Sequence, residues 1–271
     1  MGKGIKLEYT FKSDVLFKML FVEYPALLKR LVAVLLGIKL DSIQHFEVIN
    51  SEIPPEAIGK KNIRLDIIMV VDDKRVNLEI QVEDEGNFPE RSLFYWARGF
   101  SSALPAKEDY LLLPRTIIIS IINFKLFAYE EIHSEYQVLE VRRHTALTDK
   151  MGLHYFELPK LKGIDSIDPG NEQELWLALF KAETEEELTK LKENGGAIMS
   201  QAIEAYREIT AKDEFKELER LREKAGHDEA QALHNAERRE REKWQTVVAE
   251  KDAEIERLRS ELAEAQAQRS V

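Results

Sequence analysis

Between residues 62 and 82 apolar and polar side chains alternate in two short runs, N-I-R-L-D-I-I-M-V (62–70) and V-N-L-E-I-Q-V (76–82), with Asp72 and Asp73 between them. A period of two predicts strands, and the short acidic turn predicts that they pair as a hairpin. In the second run Val76, Leu78, Ile80 and Val82 point one way while Asn77, Glu79 and Gln81 point the other. Upstream the period lengthens. Leu16, Phe17, Leu20 and Phe21 in S-D-V-L-F-K-M-L-F (13–21) form a helical stripe, with Ser13 as N-cap and Asp14 in the first turn, where a carboxylate suits the helix dipole. A second helix is expected from Pro25 to a stop at Gly37, burying Leu28, Leu31, Val32, Leu35 and Leu36.

Further strands are expected at I-Q-H-F-E-V-I-N (43–50), at R-T-I-I-I-S-I-I-N-F (115–124), and at Y-Q-V-L-E-V and H-Y-F-E-L, which close the block near residue 158. The near-continuous apolar run from Arg115 reads as a strand covered on both faces. An irregular loop holding Pro54, Pro55 and Gly59 precedes the hairpin, and Asn87 with Pro89 announces a helix to about Leu104. From Gly170 onward strand formers become scarce and helical patterns dominate, as in N-E-Q-E-L-W-L-A-L-F and E-F-K-E-L-E-R-L-R-E-K. Beyond Trp244, the residues Trp244, Val248, Lys251, Ile255, Leu258, Leu262 and Ala265 recur at the alternating four-and-three spacing of a coiled coil. An exposed helix of that length is marginal alone, so a homodimer or higher oligomer through the C-terminal helix is expected, against the alternative of a tail that frays in solution. The chain divides on this reading into an α/β domain (1–165), a helical region (166–225) and a helical tail (226–271).

Composition locates the charge. The chain has 271 residues, 44% of them hydrophobic, enough for one good core with an extension or for two small domains, and a net charge of −11. Residues 183–271 hold 23 acidic and 16 basic side chains, so seven of those charges belong to the helical end. A strongly basic coat that neutralises phosphates is thereby excluded, while a local basic groove is not. Without cysteine there is no disulfide, thiolate metal site or cysteine nucleophile. No apolar run approaches a membrane span, and residues 1–12 lack a signal-peptide core, so a soluble cytoplasmic protein is expected. No nucleophile elbow, phosphate-binding glycine loop or dinucleotide fingerprint is present, and His45, His133, His144 and His154 read as isolated structural or surface residues.

The hairpin carries the chemistry. A two-residue turn at Asp72 and Asp73 places Asp66 opposite Glu79, and a two-residue slip would place it opposite Gln81; both registers keep the three on one face. Opposed carboxylates repel unless a cation or a shared proton lies between them, and an oxygen-rich site with few ligands suits Mg²⁺ or Mn²⁺. The competing view, a solvated polar face, predicts no matching carboxylate on the neighbouring strand. Lys18 stands one helical turn after Asp14, spaced for phosphate contact or for an ion pair with it. Arg91, Tyr95 and Arg98 share one side of the next helix, for phosphate contact or for salt bridging over the sheet.

Taken in order, S-D-V-L-F-K-M-L-F, I-R-L-D-I-I-M-V, N-L-E-I-Q-V and R-S-L-F-Y-W-A-R (91–98) make residues 8–160 resemble the PD-(D/E)XK nuclease superfamily, and within it the recombination-promoting nuclease and transposase branch. The resemblance implies a restriction-endonuclease-like α/β core, a central mixed sheet flanked by helices, with a helical, coiled-coil extension. It implies a metal-dependent DNA endonuclease in which Asp66, Glu79 and the Ile80 carbonyl hold Mg²⁺ or Mn²⁺, with Asp14 as a further ligand. Gln81 stands where the wider superfamily has a lysine; an amide orients water or a phosphate oxygen but lends no charge. A role in recombination or mobile-element activity follows from the branch. The alternative from another class is a catalytically silent nuclease fold that oligomerises through its coiled coil, and strand transfer by a true transposase is a third reading that this spacing does not favour.

Overall fold

The computed structural model describes residues 4–50, 66–104 and 107–269. Helix α1 (Asp14–Glu23) begins where expected, with the Ser13 side chain accepting a hydrogen bond from the Leu16 N–H (3.1 Å). Pro25 opens α2 (Pro25–Leu35), and Gly37, at φ +65°, reverses the chain so that its N–H reaches the Val34 carbonyl and the Ile38 N–H reaches that of Ala33. Strands β1 (Phe46–Val48), β2 (Ile67–Val71) and β3 (Lys74–Gln81) form an antiparallel meander. Helix α3 (Phe88–Ser101) then crosses over to β4 (Arg115–Ile122), which runs parallel to β3. Strand β5 (His133–Tyr136) pairs antiparallel with β6 (Met151–Glu157), and β6 runs parallel to β4, giving a mixed six-stranded sheet in the order β1-β2-β3-β4-β6-β5. Four helices follow: α4 (Glu172–Lys181), α5 (Glu185–Asn194), α6 (Gly196–Ala211) and α7 (Asp213–Arg269).

The hairpin has the register expected from its two-residue turn, with Val71 opposite Lys74 and Ile67 opposite Leu78. Asp72 takes a left-handed φ of 55° there, and its carboxylate accepts from the Gln44 and His45 N–H groups (2.9 Å each), which ties the turn to β1 and lowers its pKa. The sheet differs from expectation in two places: β1 keeps only Phe46–Val48 of the expected 43–50, and the segment after β5 leaves the sheet. Of Y-Q-V-L-E-V only Tyr136 is in a strand, because residues 138–147 fold back on themselves: Glu140 accepts from the Arg142 and Arg143 N–H groups and Leu147 N–H bonds the Val138 carbonyl. Tyr136 and Val138 still pack against the core on that side of the sheet, whereas Val141 is 88% exposed. Residues 62–65 of the expected strand and the loop of Pro54, Pro55 and Gly59 lie outside the described residues.

Two cores flank the sheet. The larger joins α1 and α2 (Phe17, Phe21, Leu28) to Val76 and Leu78 of β3, Ile119 of β4, and to Trp176, Phe180, Met199 and Phe215 of the later helices. The helical region therefore shares one core with the sheet. The smaller core lies under α3 and contains Phe88, Ile118, Ile122, Met151, Leu153 and Tyr155. Helix α7 starts inside the large core at Phe215 and Leu218 and is fastened to α1 by two polar contacts, the Ser13 hydroxyl donating to Glu219 and Arg222 Nη2 donating to Asp14 Oδ2 (2.5 Å). Its far end stands in solvent: Trp244, Val248, Ile255, Leu258 and Leu262 are 45–59% exposed, while the Ala265 side chain lies outside the described residues. Among the described residues no helix is long and apolar enough to cross a membrane.

Candidate active site on the hairpin

Alternation along β3 separates two environments. Val76 and Leu78 are wholly buried in the larger core, and on the opposite face Asn77, Glu79 and Gln81 lie on the side covered by α3. Glu79 is only 4% exposed, so this polar face is not a solvated one. In the parallel β3–β4 ladder Glu79 sits beside Ser120, whose hydroxyl donates to Glu79 Oε1 (2.7 Å) and fixes the carboxylate in the smaller core. The Tyr155 phenol lies within reach of the Glu79 charge; burial first, and that charge in addition, raise its pKa.

Asp66 immediately precedes β2, one residue beyond the Ile67–Leu78 pair, so the ladder carries it to the level of Glu79. Its carboxylate lies on the same face, where Asn77 Nδ2 donates to Asp66 Oδ2 (3.3 Å). Its backbone is anchored twice: Lys18 Nζ and Asn50 Nδ2 both donate to the Asp66 carbonyl (2.8 Å each). Lys18 also donates to the Asn50 carbonyl, and Asn50 Oδ1 accepts from the Ile68 N–H (2.7 Å). Lys18 is 1% exposed, and burial lowers its pKa to about 8 against the opposing pull of the Asp66 charge. Helix α1 thus reaches across with a buried ammonium to hold the strand end that carries Asp66.

The other expected site residues fall in distinct places. Gln81 follows Glu79 on the same face, and its Nε2 donates to the Glu83 carbonyl (2.9 Å). Carbonyl directions alternate along a strand; because Gln81 O accepts from Asn123 N–H on the β4 side (2.9 Å), the Ile80 carbonyl is directed to the β2 side, where Asp66 lies. Asp14 is engaged by Arg222 of α7 rather than by Lys18. On α3, Tyr95 and Arg98 line a cleft with Asp66 and Asn77. Arg91, one turn before Tyr95, donates from Nη1 to Glu85 (2.8 Å) and stacks over Phe88, while its buried Nε and Nη2 have no hydrogen-bond partner among the described residues.

One residue of the site had no signal in the chain order. Ser120 is hidden in an apolar run and comes to Glu79 only through the parallel register. Asn77 and Arg75 were readable as members of the polar face, since they share its parity with Glu79. His133 and His154 are not isolated either: β5–β6 pairing brings His133 Nε2 to 3.1 Å from His154 Nδ1, and burial holds both pKa values down, His154 at about 4.

The carboxylate oxygens of Asp66 and Glu79 are of the kind that suits a hard divalent cation. Among the described residues no group of three or more His, Cys, Asp or Glu side chains is placed to hold a metal. A family model described as PD-(D/E)XK nuclease family transposase matches residues 11–236. No curated protein and no solved structure matches the chain.

Proposed function

Because the chain belongs to the PD-(D/E)XK nuclease family transposases, we propose that it is a metal-dependent DNA endonuclease whose centre is Asp66 and Glu79. The observation that supports this best is the placement of two carboxylates at one level of the β2–β3 ladder, on a face closed by α3. Mg²⁺ or Mn²⁺ held by these carboxylates and the Ile80 carbonyl would supply Lewis acidity at the scissile phosphate and lower the pKa of an attacking water. The protein's own groups do the rest. Ser120 orients Glu79, Lys18 and Asn50 hold Asp66 in place, and the Gln81 amide stands at the centre's edge to orient water or a phosphate oxygen. Arg91 brings two unpartnered guanidinium nitrogens, and neither Arg75 nor Arg98 has an ion pair among the described residues. In a chain of net charge −11, Arg75 and Arg98 in one cleft with Asp66 suit phosphate contact.

Asp14 is a second-rank ligand in this reading, since recruitment to the metal would require release from Arg222. The exposed stripe of α7 supports dimerisation through the tail, which would bring two centres to one DNA and permit cutting of both strands. The test is cleavage of supercoiled DNA in magnesium. Nicking or linearisation by the parent protein, lost in folded Asp66→Ala and Glu79→Ala, is expected. Equal cleavage by all three would refute the site, and no cleavage by the parent would favour a silent fold that serves as an interaction protein.

A further inference from the structure

Beside Asp66 a cleft of about 320 Å³ opens between α3 and the β2–β3 edge, at the lower end of the range for small-ligand sites. Its walls combine three features. Ile68 and Ile118 supply apolar surface, and Arg75 and Arg98 stand in the lining without an ion pair among the described residues. Asn77 supplies the third: its Nδ2 is committed to Asp66, which fixes the orientation of the amide, and its Oδ1 is left buried with no partner among the described residues. A buried acceptor without a donor is rare and costly, so a ligand that brings an N–H to this point is favoured.

We infer that the cleft receives one unstacked nucleotide next to the scissile phosphate, so that the preferred substrate is DNA with an unpaired nucleotide rather than fully paired duplex. The inference rests on the nuclease reading above and narrows it. A nucleotide is the ligand that presents planar apolar faces, an N–H edge and an adjoining phosphate together, matching the isoleucines, Asn77 Oδ1 and the two arginines in turn. A base inside a duplex shows only its groove edges and cannot enter a cleft; it must leave the stack, which is easiest where it has no partner. Asp66 lines the cleft, so a base seated there places its own backbone at the carboxylates.

The full-length chain in EDTA is tested with three DNAs that carry 2-aminopurine at one position: a single strand, a duplex with a one-nucleotide bulge at the probe, and the paired duplex. The bulged and single-stranded forms should bind about tenfold more tightly than the paired one, a difference of about 1.4 kcal/mol, and probe emission in the paired form should rise on binding as the base leaves the stack. Asn77→Leu should bring the preference for the bulge close to one. Ser102→Trp should do the same by filling the cleft from its exposed rim, without removing a buried contact. Equal affinity for the three DNAs, or a preference untouched by both variants, overturns the inference and leaves the nuclease reading intact; the Asn77 acceptor would then be served by water. Displacement of bulged DNA by equimolar free deoxyadenosine monophosphate also overturns it, marking a small-molecule site instead. Failure to bind any DNA overturns both readings.

Discussion

On one face of β3, Val76 and Leu78 are sealed beneath α1 and the helices that follow the sheet; on the other, Asn77, Glu79 and Gln81 lie under α3, with a cleft that Arg75 and Arg98 line beside them. The two faces belong to the same eight residues, yet one is bonded by close-packed apolar contacts and the other by single hydrogen bonds with specific partners. The strand's position is set by the first face, and the second inherits that precision. In the proposed function a polar face that would be a liability in a core becomes a site, because its neighbour on the ladder, Asp66, is held by Lys18 from the opposite side of the sheet. Chemistry and stability are therefore separable along β3 by parity, and each face can be broken alone.

The largest effect is expected on the polar face. Asp66→Ala or Glu79→Ala should lower cleavage by at least roughly 10²–10³-fold, the loss typical when one electrostatic support of a transition state is removed. Thermal midpoints should hold or rise, because like charges at one level of a ladder repel. Leu78→Ala should do the reverse: a urea titration should show a loss of about 2–5 kcal/mol, with activity per folded molecule retained. Loss of activity without loss of stability in Leu78→Ala would break the separation.

Lys18 joins the two faces, and its pH dependence sharpens how. With a folded pKa of about 8, below the ordinary lysine value of 10.5, the native protein releases this proton before the unfolded chain does. Between those values the unfolded chain binds more protons, so stability rises with pH from about 8 to about 10.5. The gain should be at most on the order of 3 kcal/mol and absent in Lys18→Met, measured as the difference between denaturation curves at pH 7.5 and 10. Lys18→Met should also weaken the site at neutral pH, because the Asp66 carbonyl keeps only Asn50 as donor and the Asn50 carbonyl loses Lys18, at about 1–3 kcal/mol if left unsatisfied. The smallest effect on stability belongs to the tail. Removing residues 244–271 should change the domain's unfolding free energy by less than about 0.5 kcal/mol, since that stripe is exposed, yet convert a dimer to a monomer in sedimentation.

Local physics made much of this legible. The Ser13 cap, the Pro25 start and Gly37 stop, and the hairpin register each depend on a few adjacent residues, and each appears in the structure. The parity of Asp66 and Glu79 follows from turn length alone. What the chain order hides is set by parallel pairing and by packing across many residues. Ser120 meets Glu79 through a crossover of about forty residues, and Arg222 meets Asp14 only because α7 lies on α1. The histidines at 133 and 154 looked isolated for the same reason. In 138–147 the apolar alternation misled, since a Glu140-capped turn, not burial, decides the local conformation.

Joint ligation of one divalent cation by Asp66 and Glu79 is the claim on which the rest depends, and calorimetric titration with Mn²⁺ tests it without DNA or turnover. Binding in the millimolar range or tighter by the parent chain, reduced at least about tenfold in both Glu79→Gln and Asp66→Asn, is expected from two carboxylates sharing the ion. No heat of binding at millimolar Mn²⁺, or binding that survives unchanged in both variants, would contradict it.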